Sequence, residues 1–473
     1  MSLINCPKSQ FGLKSLPLLR MSCLCVLLLG AVLDAPSVLA QGFGGFGGFQ
    51  NVGGVRVDGQ GVIQDIRPQL REDLAGTRQQ LEADVPDNLP AGVQLRKISL
   101  RALQESLLAA ANQEEQLPEA VRYLSGLQRV QYVFVYPEQQ DIVLAGPGEA
   151  WRINELGQAV GATNGRPVIH LQDLMVALRN AFNADGATIS CSIEPTPEGI
   201  LNLQSKLNQF GRLSNRGQIR QVVSRKQELE ESLGPQDVIL TGVDPTSRFA
   251  WTLVAADYRM KCLGMGLESA PIAGMPSYPE IMRQRSADLM PRWWMETDYD
   301  ALLTDEAGFS WELRGQGVKV LAEDELVMAN GERKPTGKVN QAARRWAETM
   351  TEKYDELSIA SPIFGQLRNC MDLAVVAALI HSKSLDQKAG LALTGLLDEK
   401  VLTVPSGAVP RSTPSIVSFL ERRRSLVITA SGGVLIQPWK VVEQTEQSPE
   451  LAAMRSSIES GHSDASDKNW YWD

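Results

Sequence analysis

Apolar and polar positions recur with changing periods along this chain, and each change of period marks an element. From Leu70 to Leu127 the apolar residues keep helical spacing, interrupted near Pro86, Pro90 and Pro118, which predicts helices broken at those prolines. The pattern then turns strand-like. Gln131–Tyr136 is aromatic and β-branched, Pro137–Gln140 carries turn residues, and Asp141–Ala145 returns, so a hairpin is predicted. A short strand is expected over 167–169, followed by a helix over 171–182 with His170 at its cap position and Asp173 three residues on. Another strand over 187–193 leads into Thr196-Pro197, a cap and first-turn proline. A strand over 237–243 precedes a long helix, expected to open at Asp244-Pro245 and close at Gly264.

Two further hairpins are expected, over 308–323 with a turn at Gly315-Gln316-Gly317, and over 426–436 with a turn at Ser431-Gly432-Gly433. Helices are predicted over 338–354 and 362–383, the second capped by Ser361. Beyond Glu443 the chain reads as polar tail until Trp470-Tyr471-Trp472-Asp473. Those aromatic residues favour docking back onto the body, with 444–468 as a loose loop. Helices and hairpins mix without the strand–helix alternation of a doubly wound sheet. The fold class expected is therefore α+β, in two or three subdomains.

The first 40 residues follow a different logic. Lys8, Lys14 and Arg20 supply positive charge, Met21–Leu33 is apolar, and Ser37-Val38-Leu39-Ala40 offers a small-residue exit. This is the three-part pattern of a secretory signal peptide, with cleavage expected after Ala40. The apolar stretch is shorter than the roughly 20 residues that span a bilayer. Gln41–Gly61 opens with a Gly-Phe repeat and reads as a disordered linker. The boundaries expected after it are an N-terminal domain over 62–185, a C-terminal domain over 186–442 and a tail over 443–473.

Charge and composition narrow the function. The net charge is −9, and residues 1–40 carry three basic side chains and only Asp34 as an acid, so the remainder is two charges more negative. That argues against nucleic acid and against an anionic membrane surface as partners. No transmembrane span is expected after the signal peptide. Six cysteines and three histidines occur in all. Cys191, Cys262 and Cys370, the three cysteines beyond the signal, are spaced too widely for a metal motif or a disulfide framework, and buried free thiols are expected. The spacing gives no metal site and no cofactor motif.

Two polar clusters within apolar helices remain as candidate chemistry. Asp257 falls just inside the apolar stripe of Phe249, Leu253, Ala256 and Met260, with Lys261 four residues on. A carboxyl drawn into such a stripe acquires the raised pKa that a general acid needs, while the structural reading is an ion pair or a contact to a loop backbone. Arg368, Asn369 and Asp372 lie near one face of the 362–383 helix, and fit either a polar binding site or a network joining domains. Trp293 and Trp294 are adjacent on an expected strand and so point to opposite faces, one into the core and one available to stack on a sugar or a partner.

Four phrases carry a likeness. They are Leu117–Gly146 (LPEAVRYLSGLQRVQYVFVYPEQQDIVLAG), Val254–Glu268 (VAADYRMKCLGMGLE), Pro291–Tyr299 (PRWWMETDY) and Pro362–Leu379 (PIFGQLRNCMDLAVVAAL). Together they resemble an exported protein family known mainly from planctomycete bacteria and carrying a domain of unknown function. The resemblance implies an envelope or periplasmic setting and supplies no catalytic residues. The expectation is a secreted, non-enzymatic scaffold or binding protein, with an envelope component or another protein as partner. The competing expectation is a hydrolase of envelope glycans or peptides, with Asp257 or Asp372 as acid. A deep cleft joining the two acidic clusters would favour the enzyme, and two separate buried networks the scaffold.

Overall fold

Tyr132–Tyr136 and Asp141–Gly148 form the predicted hairpin, in a register that sets Tyr136 opposite Asp141 and Val133 opposite Leu144. Their near-continuous apolar sequence has a physical cause, since both faces of this ribbon are covered. Val133, Val135, Ile142 and Leu144 enter the main core, while Phe134, Tyr136, Val143 and Ala145 pack with Ile458 on the opposite side. The computed structural model describes residues 55–57, 63–65, 89, 92–112, 117–183, 187–209, 224–282, 289–401, 407–415, 417–420, 426–464 and 470–473. The expected signal peptide lies outside the described residues, as does the Gly-Phe linker apart from Val55–Val57, a strand paired with Ile63–Asp65.

The fold is α+β and is built on two mixed seven-stranded sheets. Their strands, in chain order, are β1 Val93–Ser99, β2 Tyr132–Tyr136, β3 Asp141–Gly148, β4 Ile189–Pro195, β5 Gln236–Thr241, β6 Leu289–Asp298, β7 Leu302–Thr304, β8 Ser310–Glu312, β9 Gly317–Val327, β10 Arg333–Pro335, β11 Ser412–Thr413, β12 Ser431–Ile436, β13 Thr445–Gln447 and β14 Tyr471–Trp472. The first sheet runs β13-β7-β8-β2-β3-β1-β14 and the second β10-β9-β6-β12-β4-β5-β11. The longer helices are α1 Leu100–Asn112, α2 Leu171–Asn183, α3 Pro197–Gln209, α4 Lys226–Leu233, α5 Arg248–Gly264, α6 Gln341–Glu352, α7 Tyr354–Ala360, α8 Pro362–Ser382 and α9 Glu450–Asp464.

Several expectations need correction. The expected boundary between 185 and 186 does not divide the fold: the first sheet takes strands from 93–148, 302–312 and 445–472, on both sides of it. Strand pairing is non-local, so adjacency in sequence is a poor guide to it. The 308–323 hairpin fails for the same reason. β8 pairs with β2 and β7 in the first sheet, whereas β9 pairs with β6 and β10 in the second, so Gly315-Gln316-Gly317 is a crossing between sheets. The 426–436 hairpin fails too. Leu426–Ile428 pairs back with Ser418–Leu420, and β12 inserts between β6 and β4. Residues 167–169 make only an isolated bridge at Pro167, and Val93–Ser99, within the stretch read as helical, is a strand.

Helix ends follow the capping chemistry in part. Thr196 Oγ1 accepts from Gly199 N at 3.0 Å, as its sequence position predicts. The long helix α5 starts at Arg248 instead of Asp244, because Ser247 takes the cap, accepting from Ala250 N, while Asp244 closes a tight turn onto Thr246. At α2 the His170 carbonyl accepts from Asp173 N and Leu174 N, and its ring packs edge-on against Tyr123, so the side chain does not cap. Ser361 precedes α8 without a side-chain capping bond. The tail from Glu443 is not a loose loop. Its α9 lays Met454 and Ile458 over the outer face of the first sheet, and Arg455 donates to the Val135 carbonyl.

α8 lies at the centre. Every residue from Pro362 to Ile380 is buried, which is why its sequence shows no polar stripe. By length and composition it could cross a bilayer, but all of its apolar window is buried inside the protein. α5, α6 and α8 pack on one face of the second sheet. Cys191, Cys262 and Cys370 are buried and none forms a disulfide. Burial pushes the Cys191 and Cys370 thiols well up, so neither is a ready nucleophile.

Candidate functional site

Asp257 and Lys261 sit one turn apart on α5, against the place where β12 and β4 part. The ladder between those strands ends at the Gly433–Ser192 pair. One residue further, the backbone groups that would have continued it are taken by the two side chains. Asp257 Oδ2 accepts from Ile193 N at 2.9 Å. Lys261 Nζ donates to the Ile193 carbonyl at 2.5 Å, to the Gly432 carbonyl at 3.1 Å and to Asp257 Oδ2 at 3.0 Å. The ammonium thus has three acceptors for its three protons. Both residues are fully buried, and burial pushes the Asp257 carboxyl up to about 7 against the opposing pull of Lys261. Asp257 Oδ1 has no partner. The pair closes a broken sheet ladder.

The strands part here because Gly432 lies at φ +124°. A Cβ at this position would stand 1.6 Å from the Trp293 carbonyl oxygen, so β6 and β12 can approach only over glycine. On the opposite face of the sheet, the same seam carries a polar network absent from the sequence reading. Arg333 Nη1 bonds Glu194 and, at 3.1 Å, Glu325 Oε2, and Ser431 Oγ donates to Glu325 at 2.5 Å. The only sequence signal was strand alternation, which sets Glu194 opposite in sense to Ile193. Nothing in the sequence could pair Glu194 with Arg333, 139 residues away.

The Arg368, Asn369 and Asp372 cluster separates into distinct bonds. Asp372 is fully buried and is held by Arg129, through Nε at 2.9 Å and Nη2 at 2.8 Å, while Tyr299 donates to it at 2.7 Å. Arg368 turns away, donating to Asp355 at 2.9 Å and to Ser358 Oγ at 3.2 Å. Asn369 donates to the Pro167 carbonyl at 3.3 Å. Asp355 is also gripped by both terminal nitrogens of Arg166, at 2.8 and 2.7 Å, and these arginines hold its carboxyl well below the usual range. Arg129 and Arg166 were not singled out from the sequence. Burial, and then Asp372, push the Tyr299 hydroxyl well up, so it stays a neutral donor.

Trp293 and Trp294 take opposite faces of β6, as adjacent strand residues must. Trp293 is fully buried against Trp346 and Tyr278. Trp294 is half-buried, with the Arg292 guanidinium 5.5 Å from its ring centre and its Nε1 donating to Glu296 at 3.1 Å. Its ring already has a cationic neighbour, which leaves less of it for a ligand. A third buried ion pair, Arg248 with Asp173, joins the starts of α5 and α2. Burial, and then Arg248, depress the adjacent His170 well below its ordinary value, so it is neutral at physiological pH. Among the described residues no group of three or more His, Cys, Asp or Glu side chains is placed to hold a metal ion.

The geometry defines an α+β protein in which the two candidate acids sit in separate buried ionic networks, Asp257 at the β4–β12 seam and Asp372 at the Arg129 contact. A protein-family model described as "Protein of unknown function (DUF1598)" matches residues 191–278, so the chain carries a domain of unknown function there. The match begins in β4, at Cys191, and includes Glu194, Asp257 and Lys261. No curated protein and no solved structure matches the chain.

Proposed function

We propose that this chain is an exported envelope protein that works as a non-enzymatic scaffold or binding body, with an envelope component or another protein as its partner. One observation carries the reading. Both candidate acids are fully buried, and their carboxylates are engaged by residues that join distant parts of the chain. Asp372 binds Arg129 across 243 positions, and Asp257 binds the backbone of Ile193 across 64. Burial and partnering of this kind support a role in fixing the arrangement of elements. Export, and a planctomycete setting, are supported by the charged–apolar–small pattern of residues 1–40 and by the likeness of the four quoted phrases.

The second reading, a hydrolase of envelope glycans or peptides, has one feature in its favour: burial pushes the Asp257 carboxyl up to about 7, towards the range of a general acid. It lacks access, since no atom of Asp257 reaches solvent. The test is fractionation of the producing cell followed by cross-linking in intact envelopes. The proposal expects the chain outside the cytoplasm, without residues 1–40, and cross-linked to a partner in stoichiometric yield. Recovery from the cytoplasm with residues 1–40 retained would overturn it.

A further inference from the structure

The first sheet ends in an arrangement that none of the preceding chemistry uses. Trp470–Asp473 adds the edge strand β14 antiparallel to β1, with Tyr471 opposite Ile98 and Trp472 opposite Lys97, and Ser99 N donates to the Trp470 carbonyl at 2.9 Å. Beside this short ladder lies a charged slot. Arg96, fully buried, donates from Nε to Asp473 Oδ1 at 2.7 Å and from Nη2 to Oδ2 at 3.0 Å. Its remaining nitrogen donates to the Ser125 carbonyl. Lys97 adds a second positive charge towards the same carboxylate.

Room for the arginine is built into the neighbouring backbone, at the end of β3 and in the turn before β2. A Cβ on Gly148 would stand 2.9 Å from Arg96 Cβ and 3.0 Å from its Cδ, and one on Gly126 would stand 3.3 Å from Nη1. The aromatic residues fill three separate places: Trp470 joins the main core, Tyr471 also touches the small cluster of Tyr123 and Trp151, and Trp472 packs with Met454 and Ile458. Backbone pairing gives such a site affinity, and the arginine and apolar sockets give it sequence selectivity.

We propose that the edge of β1 with Arg96 is a strand-acceptor site for an extended acidic–aromatic peptide, and that it accepts the Trp470–Asp473 segment of a second copy of this chain. The sequence that fits the slot is the chain's own, and its backbone ladder is short, with two register pairs beside the Ser99 N bond, so the arginine and the aromatic sockets supply most of the hold. The preceding helix α9 touches the segment through Met454, Ile458 and Trp472, but it is also anchored by Arg455 to Val135 and by Tyr136 to the Arg455 carbonyl, so the segment can leave while α9 keeps those bonds. Reciprocal exchange between two copies satisfies both slots and both edges, and closes with two-fold symmetry. The inference is independent of export and of the scaffold reading, and its test involves neither.

The experiment uses the full chain, wild type and Asp473→Ala, with a labelled, end-blocked peptide of residues 469–473. Asp473→Ala loosens the resident segment and leaves the slot intact. The peptide is expected to bind that variant at least tenfold more tightly than wild type, and a peptide carrying Asp473→Ala at least tenfold more weakly. Trp472→Ala serves in the same way if loss of the Arg96 partner compromises folding, as judged by circular dichroism. A resident segment competes at an effective concentration of about millimolar, so light scattering at ~0.5 mM should show a wild-type dimer that excess peptide returns to monomer. Equal binding of the two peptides, no peptide binding by either loosened variant, or a chain that stays monomeric or dimerises regardless of peptide would overturn the proposal.

Discussion

A carboxyl group without water around it ionises late, and Asp257 shows the consequence for stability. Its pKa is raised to about 7 in the folded chain, whereas an unfolded aspartate titrates near 3.9. Below about pH 4 both states hold the proton and its contribution is complete. As pH rises towards 7 only the unfolded state ionises, so stability falls through that window and then levels off. Asp257→Asn removes the titration. Urea unfolding from pH 4 to 8 should therefore show the wild-type advantage over Asp257→Asn shrinking as pH rises; a constant difference would contradict the assignment. Asp355 behaves oppositely, because Arg166 and Arg368 lower its pKa. Its contribution is present above the unfolded value and is lost as pH falls through the folded one. Since Asp355 is exposed and its pairs are screened, Asp355→Asn should cost only ~1 kcal/mol at pH 7, and the cost should fade on acidification. Asp372→Asn is harsher. It leaves Arg129 with a neutral partner in a dry site, and equilibrium unfolding at pH 7 should register a loss of roughly 3–5 kcal/mol.

Between elements, close approach decides more than propensity. The seam of β6, β12 and β4 depends on Gly432, where an added methyl group would meet the Trp293 carbonyl oxygen. Gly432→Ala should destabilise the chain by more than ~3 kcal/mol or prevent folding. Gly407→Ala, with nothing within 4 Å of its Cβ, should stay within ~0.5 kcal/mol of wild type. Thermal unfolding of the two variants checks the contrast. The same region shows what the sequence could convey. The β2–β3 hairpin was legible because its partners are joined by a four-residue turn, and α8 because Pro362 and its apolar run declare a helix. The Ser431-Gly432-Gly433 turn was misread because glycine serves a tight interstrand approach as readily as a turn. Asp257 and Lys261 were legible as a buried pair from their spacing of four, but their function as a substitute for a ladder bond was not, since that depends on where two remote strands part. Arg129, Arg166, Glu194 and Arg333 carried no local signal for their pairing: Arg129 meets Asp372, Arg166 meets Asp355 and Arg333 meets Glu194 at 139 or more positions' distance.

For the whole molecule, interleaving is the controlling feature. The first sheet gathers strands from 93–148, 302–312 and 445–472, and the second sheet's strands lie in the gaps. Neither sheet can form from a contiguous fragment, and both pack on a core that shares α8. Calorimetry on the full chain should show one transition, with calorimetric and van't Hoff enthalpies in agreement, despite a length at which separate domains are common. Two resolved transitions would contradict a shared core. The same interleaving places the two ionic networks where they join remote segments, which is the physical basis for reading them as structural. The measurement that bears most directly on this is turnover by the purified chain on envelope glycans and peptides, compared among wild type, Asp257→Asn and Asp372→Asn under conditions where all three remain folded. The account predicts no turnover above the buffer rate for any of them, with losses confined to stability. Release of reducing ends or free amines by wild type that either substitution abolishes, with the fold intact, would contradict it.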